Sequence, residues 1–364
     1  MTHDANIQDA QFVVPCADLS ATLAFFTETL GFRVDAIHPA DDPRVAVLSG
    51  HGTRLRLERG AGAPGTLRLV CRDPAAIAGG AAELTAPNGT RVLVVAAEPP
   101  LAMPPLRSSF VLSRARGAAF APGRAGMRYR DLLPDRLGGA FIASHITIPD
   151  GGPVPDYVHF HAVAFQMIYC AKGWVRVVYE DQGEPFVLHE GDCALQPPRI
   201  RHRVLECSPG LEVVEVSSPA EHETFADHAL PLPTAVVRPD REFGGQRFVR
   251  HRVQQATFQA WRQPGFEVCD LGIGEATKGL VNVSVVRSGG ATATRGHHPG
   301  GDLLLSFVLA GTGMLEVDGH PAEPLERGDA FCIPTDRTHA VSGCSRPFEM
   351  LEVHVPAYAR LAQR

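Results

Sequence analysis

The strongest constraint on the fold is an internal repeat. "DLLPDRLGGAFIASHITIPDGG", from Asp131, parallels "DLGIGEATKGLVNVSVVRSGG" from Asp270, and "EGDCALQPPRIRHRV" from Glu190 parallels "RGDAFCIPTDRTHAV" from Arg327. Each copy is made of short alternating apolar runs broken by Gly, Pro and Asp, the pattern of antiparallel strands joined by tight turns. The 36 Gly and 30 Pro, about 18% of 364 residues, exceed ordinary usage and fit a turn-rich, mainly β chain. Two similar β units therefore occupy residues 126–240 and 241–358.

The segment before them reads differently. Residues 8–97 form a small α+β unit: an apolar strand over Gln11 to Pro15, then an amphipathic helix opened by Asp18, with Leu19, Leu23, Phe26 and Leu30 on one stripe, ended by Gly31. Strands follow over Arg44 to Leu48 and Thr53 to Leu57. A weaker copy comes next: a strand over Thr66 to Cys71, a short Ala-rich helix after Asp73, an Asn-Gly turn and a strand over Gly89 to Val95. "NGTRVLVV" matches "HGTRLRLE". Residues 98–125, rich in Pro, Ala and Arg, read as a linker or a packed arm.

The chemistry concentrates in the first β unit. "VHFHAVAFQMIYCAKG" puts His159 and His161 two apart, so on a strand both imidazoles share one face. Gln166 and Gly173 follow. Further on, "GDCALQPPRIRH" puts His202 eleven residues after Gly191. Neutral imidazoles suit Fe, Ni, Mn, Cu or Zn and leave open positions for substrate or O₂. With the neutral Gln166 in place of a carboxylate, a bound metal keeps one more positive charge, which favours an anionic, chelating substrate and lowers the pKa of bound water. Gln166 has two open roles, ligand or orienter of a water. His145, in "FIASHITI", also has two: pointing into the cavity to support a ligand, or standing on a solvated sheet face.

These residues carry two resemblances. His159, His161, Gln166, Gly173, Gly191, Pro197 and His202 resemble the two cupin motifs, G-x5-H-x-H-x3,4-E-x6-G and G-x5-P-x-G-x2-H, with Gln166 for the Glu and Arg199 for the second-motif Gly. This implies two tandem cupin barrels, similar in layout to gentisate-type dioxygenases and quercetinase-like enzymes. It also implies one divalent metal, Fe(II) by preference, in the first barrel, and a non-haem dioxygenase working as a homo-oligomer, in the simplest case a homodimer. A non-catalytic sensor of small acids and a metal-dependent isomerase or lyase are the alternatives. Asp18-Leu19, Thr22, Phe25-Phe26 and Leu30-Gly31-Phe32 resemble the vicinal-oxygen-chelate, or glyoxalase-like, family. That family's four ligand positions fall here on Gln11, Arg56, Thr66 and Leu93, of which only Gln11 suits a metal, so this domain is expected to hold none.

Counting from glycines, the second unit keeps His297 in the place of His159 and His339 in that of His202. Ser306 falls in the place of Gln166, and the second His of the pair is lost. His297, His298, Asp302 and His339 are the groups left for a second site, and the unit reads as degraded. A net charge of −6 offers no general attraction to nucleic acid or anionic membranes. With no run of 18 apolar residues, no signal-like N-terminus and eight scattered cysteines, the expectation is a cytoplasmic protein with free thiols.

Overall fold

The structure, a computed structural model, describes residues 7–261, 263–288, 296–297 (backbone only), 300–335 and 337–357. It is mainly β and divides into two compact units, Met1–Pro100 and Leu101–Arg364. No helix among the described residues is long and apolar enough to cross a membrane. All eight cysteines are unpaired.

In the N-terminal unit, Asp18 caps the helix Leu19–Ala24 by accepting a bond from the Ala21 N–H at 2.9 Å. The helix runs on as a π turn, Phe25–Thr29, and buries Leu19, Phe26 and Leu30 against Leu48, Leu55 and Leu57. The strand Phe12–Cys16 lies parallel to Thr53–Arg59, which continues antiparallel to Val45–Gly50 and then Arg33–His38. The second half repeats this rule in shorter form. Thr66–Cys71 lies parallel to Arg91–Ala96, with Glu83–Thr85 antiparallel beside it. The Ala-rich helix expected after Asp73 is instead two 3₁₀ turns, Pro74–Ala76 and Ala78–Gly80. Gly79 and Gly80 take positive φ there, which glycine adopts readily and an α-helix cannot contain. Gln11 bonds Asp9, and Arg56 pairs with Glu58.

The larger unit holds two barrels, each made of a large and a small antiparallel sheet. In the first, the large sheet runs Val249–His251, Cys193–Gln196, Phe165–Lys172, Leu211–Ser218, Ile142–Ile148, Arg128–Asp131 and Ala121–Pro122. The small sheet runs Phe186–His189, Trp174–Tyr179, His202–Cys207, His159–His161 and Thr224–Ala226. The second barrel repeats the arrangement, with Phe266–Asp270, Asn282–Ser288, Glu349–Val355, Leu303–Ala310 and Ala330–Cys332 as its large sheet's main strands.

The barrels exchange strands. Val111–Ser113, from the segment read as a linker, pairs with Ala330–Cys332 of the second barrel. Val249–His251, beyond the boundary drawn at residue 240, pairs with Cys193–Leu195 of the first. The repeat explains why both exchanges fit. Gly191 and Gly328, each at positive φ, lie where a Cβ would come within 2.8 Å of Val253 and 2.9 Å of Ala115, so each repeat copy leaves room for the chain arriving from the other side. The outer faces of the two large sheets then form one core. Phe165, Met167, Leu195, Val214 and Val216 meet Val283, Leu303, Leu305, Phe307, Leu351 and Val353. These strands are buried on both faces, which is why "LLLSFVLA" reads as a continuous apolar run and not an alternating one.

Candidate metal centre

His159 and His161 project from one strand of the small sheet, and His202 lies directly across from His159 on the next. All three are buried, and their ligand nitrogens lie within 4.8 Å of one another. Each Nδ1 is already engaged: that of His159 with the Tyr157 carbonyl at 2.8 Å, that of His161 with Thr224 Oγ1 at 2.8 Å, that of His202 with the Ile200 carbonyl at 3.0 Å. Carbonyls only accept, so Nδ1 of His159 and His202 carries the proton and Nε2 presents a lone pair to the cavity. Arg124 confirms this at His159, donating from Nη2 to Nε2 at 2.7 Å while Nη1 pairs with Asp156 at 2.5 Å. The place where a cation would sit is thus one that accepts a cationic donor.

Electrostatics points the same way. Burial, then the neighbouring Arg124, holds the His159 pKa down; burial, then His159, lowers His161 to about 2; and burial, then the other two imidazoles, takes His202 well below its ordinary value. Three neutral imidazoles with converging Nε2 atoms fit a divalent metal.

The triad opens into a cavity of about 230 Å³ with apolar walls that include Ile146, Ile168, Val177 and Val213. Its polar wall holds residues that sequence reasoning missed: Arg124 from the arm, Glu215 from the strand Leu211–Ser218, Thr224 from the strand closing the small sheet with His222 from the loop just before it, and Gln196, which bonds Tyr179 at 3.1 Å. Removal from bulk water raises the Glu215 pKa to about 7, with Arg124 and a hydrogen bond from Gln166 pulling the other way. Gln166 is buried in the same interior row, and its described partner is this carboxylate. A signal for Glu215 existed: "VVEV" and "MLEV" put a glutamate in both repeat copies. Nothing in the motifs pointed to Arg124, which reaches the cavity from outside the repeat.

Arg199, standing where the second cupin motif has Gly, takes the left-handed φ of +64° that the turn demands and stacks on Phe160 at 5.2 Å. His145 lies elsewhere. Its strand alternation puts Ser144 and Ile146 on the cavity and His145 on the outer face, against Phe120 and Phe307 (ring centroids 5.3 Å each) and Glu212 at 3.2 Å. It belongs to the junction between barrels.

In the second barrel, strand pairing corrects the glycine count. Gly296, not His297, lies opposite His339, as His159 lies opposite His202. The matching bulges at Cys170/Lys172 and Val308/Ala310 put Leu304, not Ser306, in the place of Gln166. Glu352 takes the place of Glu215, opposite Ser284 as Glu215 is opposite Ser144. His339 is buried, Asp302 is exposed, and His298 and the His297 side chain lie outside the described residues. Among the described residues, only the first barrel brings three metal-ligating side chains together.

Known proteins agree with this architecture. The family described as "Cupin domain" matches residues 144–215 and 282–354. The chain carries two cupin domains. Oxalate decarboxylase from Bacillus subtilis, solved at pH 4.6, is 16% identical, with a TM-score of 0.52 over 68% of this chain and 76% of that one. A structure of the same enzyme described for its Mn(II) centres is also 16% identical, with a TM-score of 0.52 over 69% of this chain and 78% of that one. Protein Ylba from E. coli, at 13% identity, has a TM-score of 0.50 over 68% of this chain and 91% of that one. At these identities the likeness is one of fold. No curated protein matches the sequence.

Proposed function

We propose that the first cupin barrel is the active site of a non-haem metal-dependent oxygenase, with Fe(II) as the working metal and a small, anionic, chelating diol, enol or aromatic acid as substrate. The carrying observation is the set of three buried imidazoles with every Nδ1 engaged and every Nε2 turned to one cavity. His159, His161 and His202 would hold the metal. When bound, it would supply Lewis-acid attraction for two substrate oxygens and, as iron, a redox couple for O₂. The chain's own residues do the rest. Arg124, anchored by buried Asp156, offers a guanidinium to a substrate carboxylate. The aliphatic walls exclude water, and a cavity of about 230 Å³ limits the substrate to a small molecule.

A second reading rests on Glu215. A buried carboxyl group with a pKa of about 7 is divided between its protonated and ionised forms at neutral pH and is able to exchange a proton with substrate, which favours a metal-dependent lyase or isomerase. The two readings separate in one experiment: anaerobic loading with Fe(II), then a panel of diols, β-diketones and hydroxy acids with and without O₂. The oxygenase reading expects O₂ uptake tied to loss of one substrate class and absent in His202→Ala. Substrate loss without O₂ selects the second reading. Metal retention with no turnover of any panel member leaves a non-catalytic sensor.

A further inference from the structure

The loop that leads into the last strand of the small sheet carries an imidazole outside both metal-binding motifs. Thr224 pairs with His161, and the Glu223 carbonyl accepts the Ala162 N–H at 2.9 Å, so this loop already runs beside the H-x-H strand. His222, two residues before Thr224, falls on the same side of that line, and both border the metal cavity. The His222 ring lies edge-on to that of His161, with centroids 5.4 Å apart; His161 and His202 are separated by 5.3 Å. His222 is therefore as near to His161 as one triad ring is to another, yet it is not part of the cluster whose nitrogens converge.

Its hydrogen bonding fixes what it offers. Nδ1 meets the Pro219 carbonyl at 2.9 Å, so Nδ1 carries the proton and Nε2 the lone pair. Burial lowers the pKa, which keeps the ring neutral at neutral pH. Among the described residues, Nε2 has no hydrogen-bond partner. Its neighbours in the cavity wall are engaged: Glu215 with Gln166, Gln196 with Tyr179 and Thr224 with His161. The Ser144 hydroxyl gives a hydrogen bond as readily as it takes one and so selects neither. The free nitrogen of His222 only accepts. At His159 the reverse holds, because Arg124 has donors alone. The triad is thus bordered by a cationic donor at one imidazole and a neutral acceptor at another.

We propose that His222 is a specificity residue: its Nε2 accepts a hydrogen bond from a substrate hydroxyl while Arg124 takes the carboxylate, which narrows the substrate to a small acid with a hydroxyl beside its carboxyl group. This rests on the reading of the first barrel as a metal centre. β-Diketones and neutral diols bring no carboxylate, and simple acids bring no hydroxyl. A hydroxyl polarised by a divalent metal is a stronger donor than a free one, so the bond to His222 favours the acid that chelates through both groups.

The test is calorimetric titration of the protein loaded with Zn(II), which does not oxidise the probes, with salicylate and with 2-methoxybenzoate, in which the hydroxyl donor is blocked. The parent is expected to bind salicylate about tenfold or more tightly than the ether. His222→Leu should weaken salicylate about tenfold and leave 2-methoxybenzoate within about twofold. His222→Gln, whose amide oxygen accepts, should recover part of the loss. Arg124→Ala should weaken both probes, since both keep the carboxylate. Zinc content by elemental analysis should match the parent's in both His222 variants. The proposal is overturned if His222→Leu binds salicylate as tightly as the parent, if both probes weaken alike in that variant, or if zinc is lost with His222, which would make it a ligand. A parent that takes up no zinc overturns the metal-centre reading and this assignment with it. A zinc-loaded parent that binds both probes equally, or neither, overturns this assignment alone.

Discussion

The two barrels share a frame and differ in a handful of interior positions. Both place a serine and a glutamate face to face on the same two large-sheet strands, Ser144 with Glu215 and Ser284 with Glu352. Both keep the late histidine, His202 or His339. They part where the small sheet and the motif strand meet: His159 and Gln166 in the first barrel correspond by register to Gly296 and Leu304 in the second. The barrel therefore does not depend on its metal ligands. Its stability sits in the large sheets, whose outer faces are sealed against each other, and the small sheet is free to gain or lose a site.

Metal content should break this comparison most sharply. Replacing His159 and His202 together by Ala is expected to empty the protein of metal by elemental analysis, whereas His339→Ala should leave the content unchanged. A metal that survives the first variant and leaves with the second would reverse the assignment of the two barrels.

The shared core makes the next prediction. Phe307 belongs to the second barrel but packs in the same cluster as Phe165 and Met167 of the first. Phe307→Ala should cost about 3–5 kcal/mol and lower the denaturant midpoint of both barrels together. Two separate transitions, with only the later barrel shifted, would show that the halves are stabilised independently.

The smallest effect sharpens the role of Gln166. Gln166→Leu gives the first barrel the residue that the second already has. Glu215 loses an N–H donor that favours its charged form, so its pKa, already raised to about 7, should rise further. A carboxyl whose folded pKa exceeds the unfolded value near 4.5 binds more protons when folded. Its contribution is full below that value and is lost as pH climbs through the folded pKa. Metal-free Gln166→Leu should therefore lose about 1–3 kcal/mol more than the parent between pH 5 and pH 9, with little difference from this group at pH 4. Metal affinity should hold, and a large drop would restore Gln166 as a ligand.

Much of this was written locally. The repeat in "GDCALQPPRIRH" and "GDAFCIPTDRTH" announced two like β units, and H-x-H on a strand fixes two imidazoles on one face whatever surrounds it, because side chains alternate every residue. Asp18 and Gly31 marked the ends of the N-terminal helix for equally local reasons. Tertiary structure decided the rest. Only strand pairing shows that Leu304 and Gly296 are the register counterparts of Gln166 and His159: Gly173 corresponds to Gly311, at the same positive φ just past the matching bulge, and a count anchored on a later glycine slips by two residues. Only the packing of one barrel on the other turns His145 away from the cavity. Glu215 and Arg124 enter the site from a later strand and from an arm before the repeat, 56 and 35 residues from His159 in sequence. Sequence spacing determines what one strand presents. Which distant strands close around it is set by burial of the large-sheet faces, a property of the whole chain.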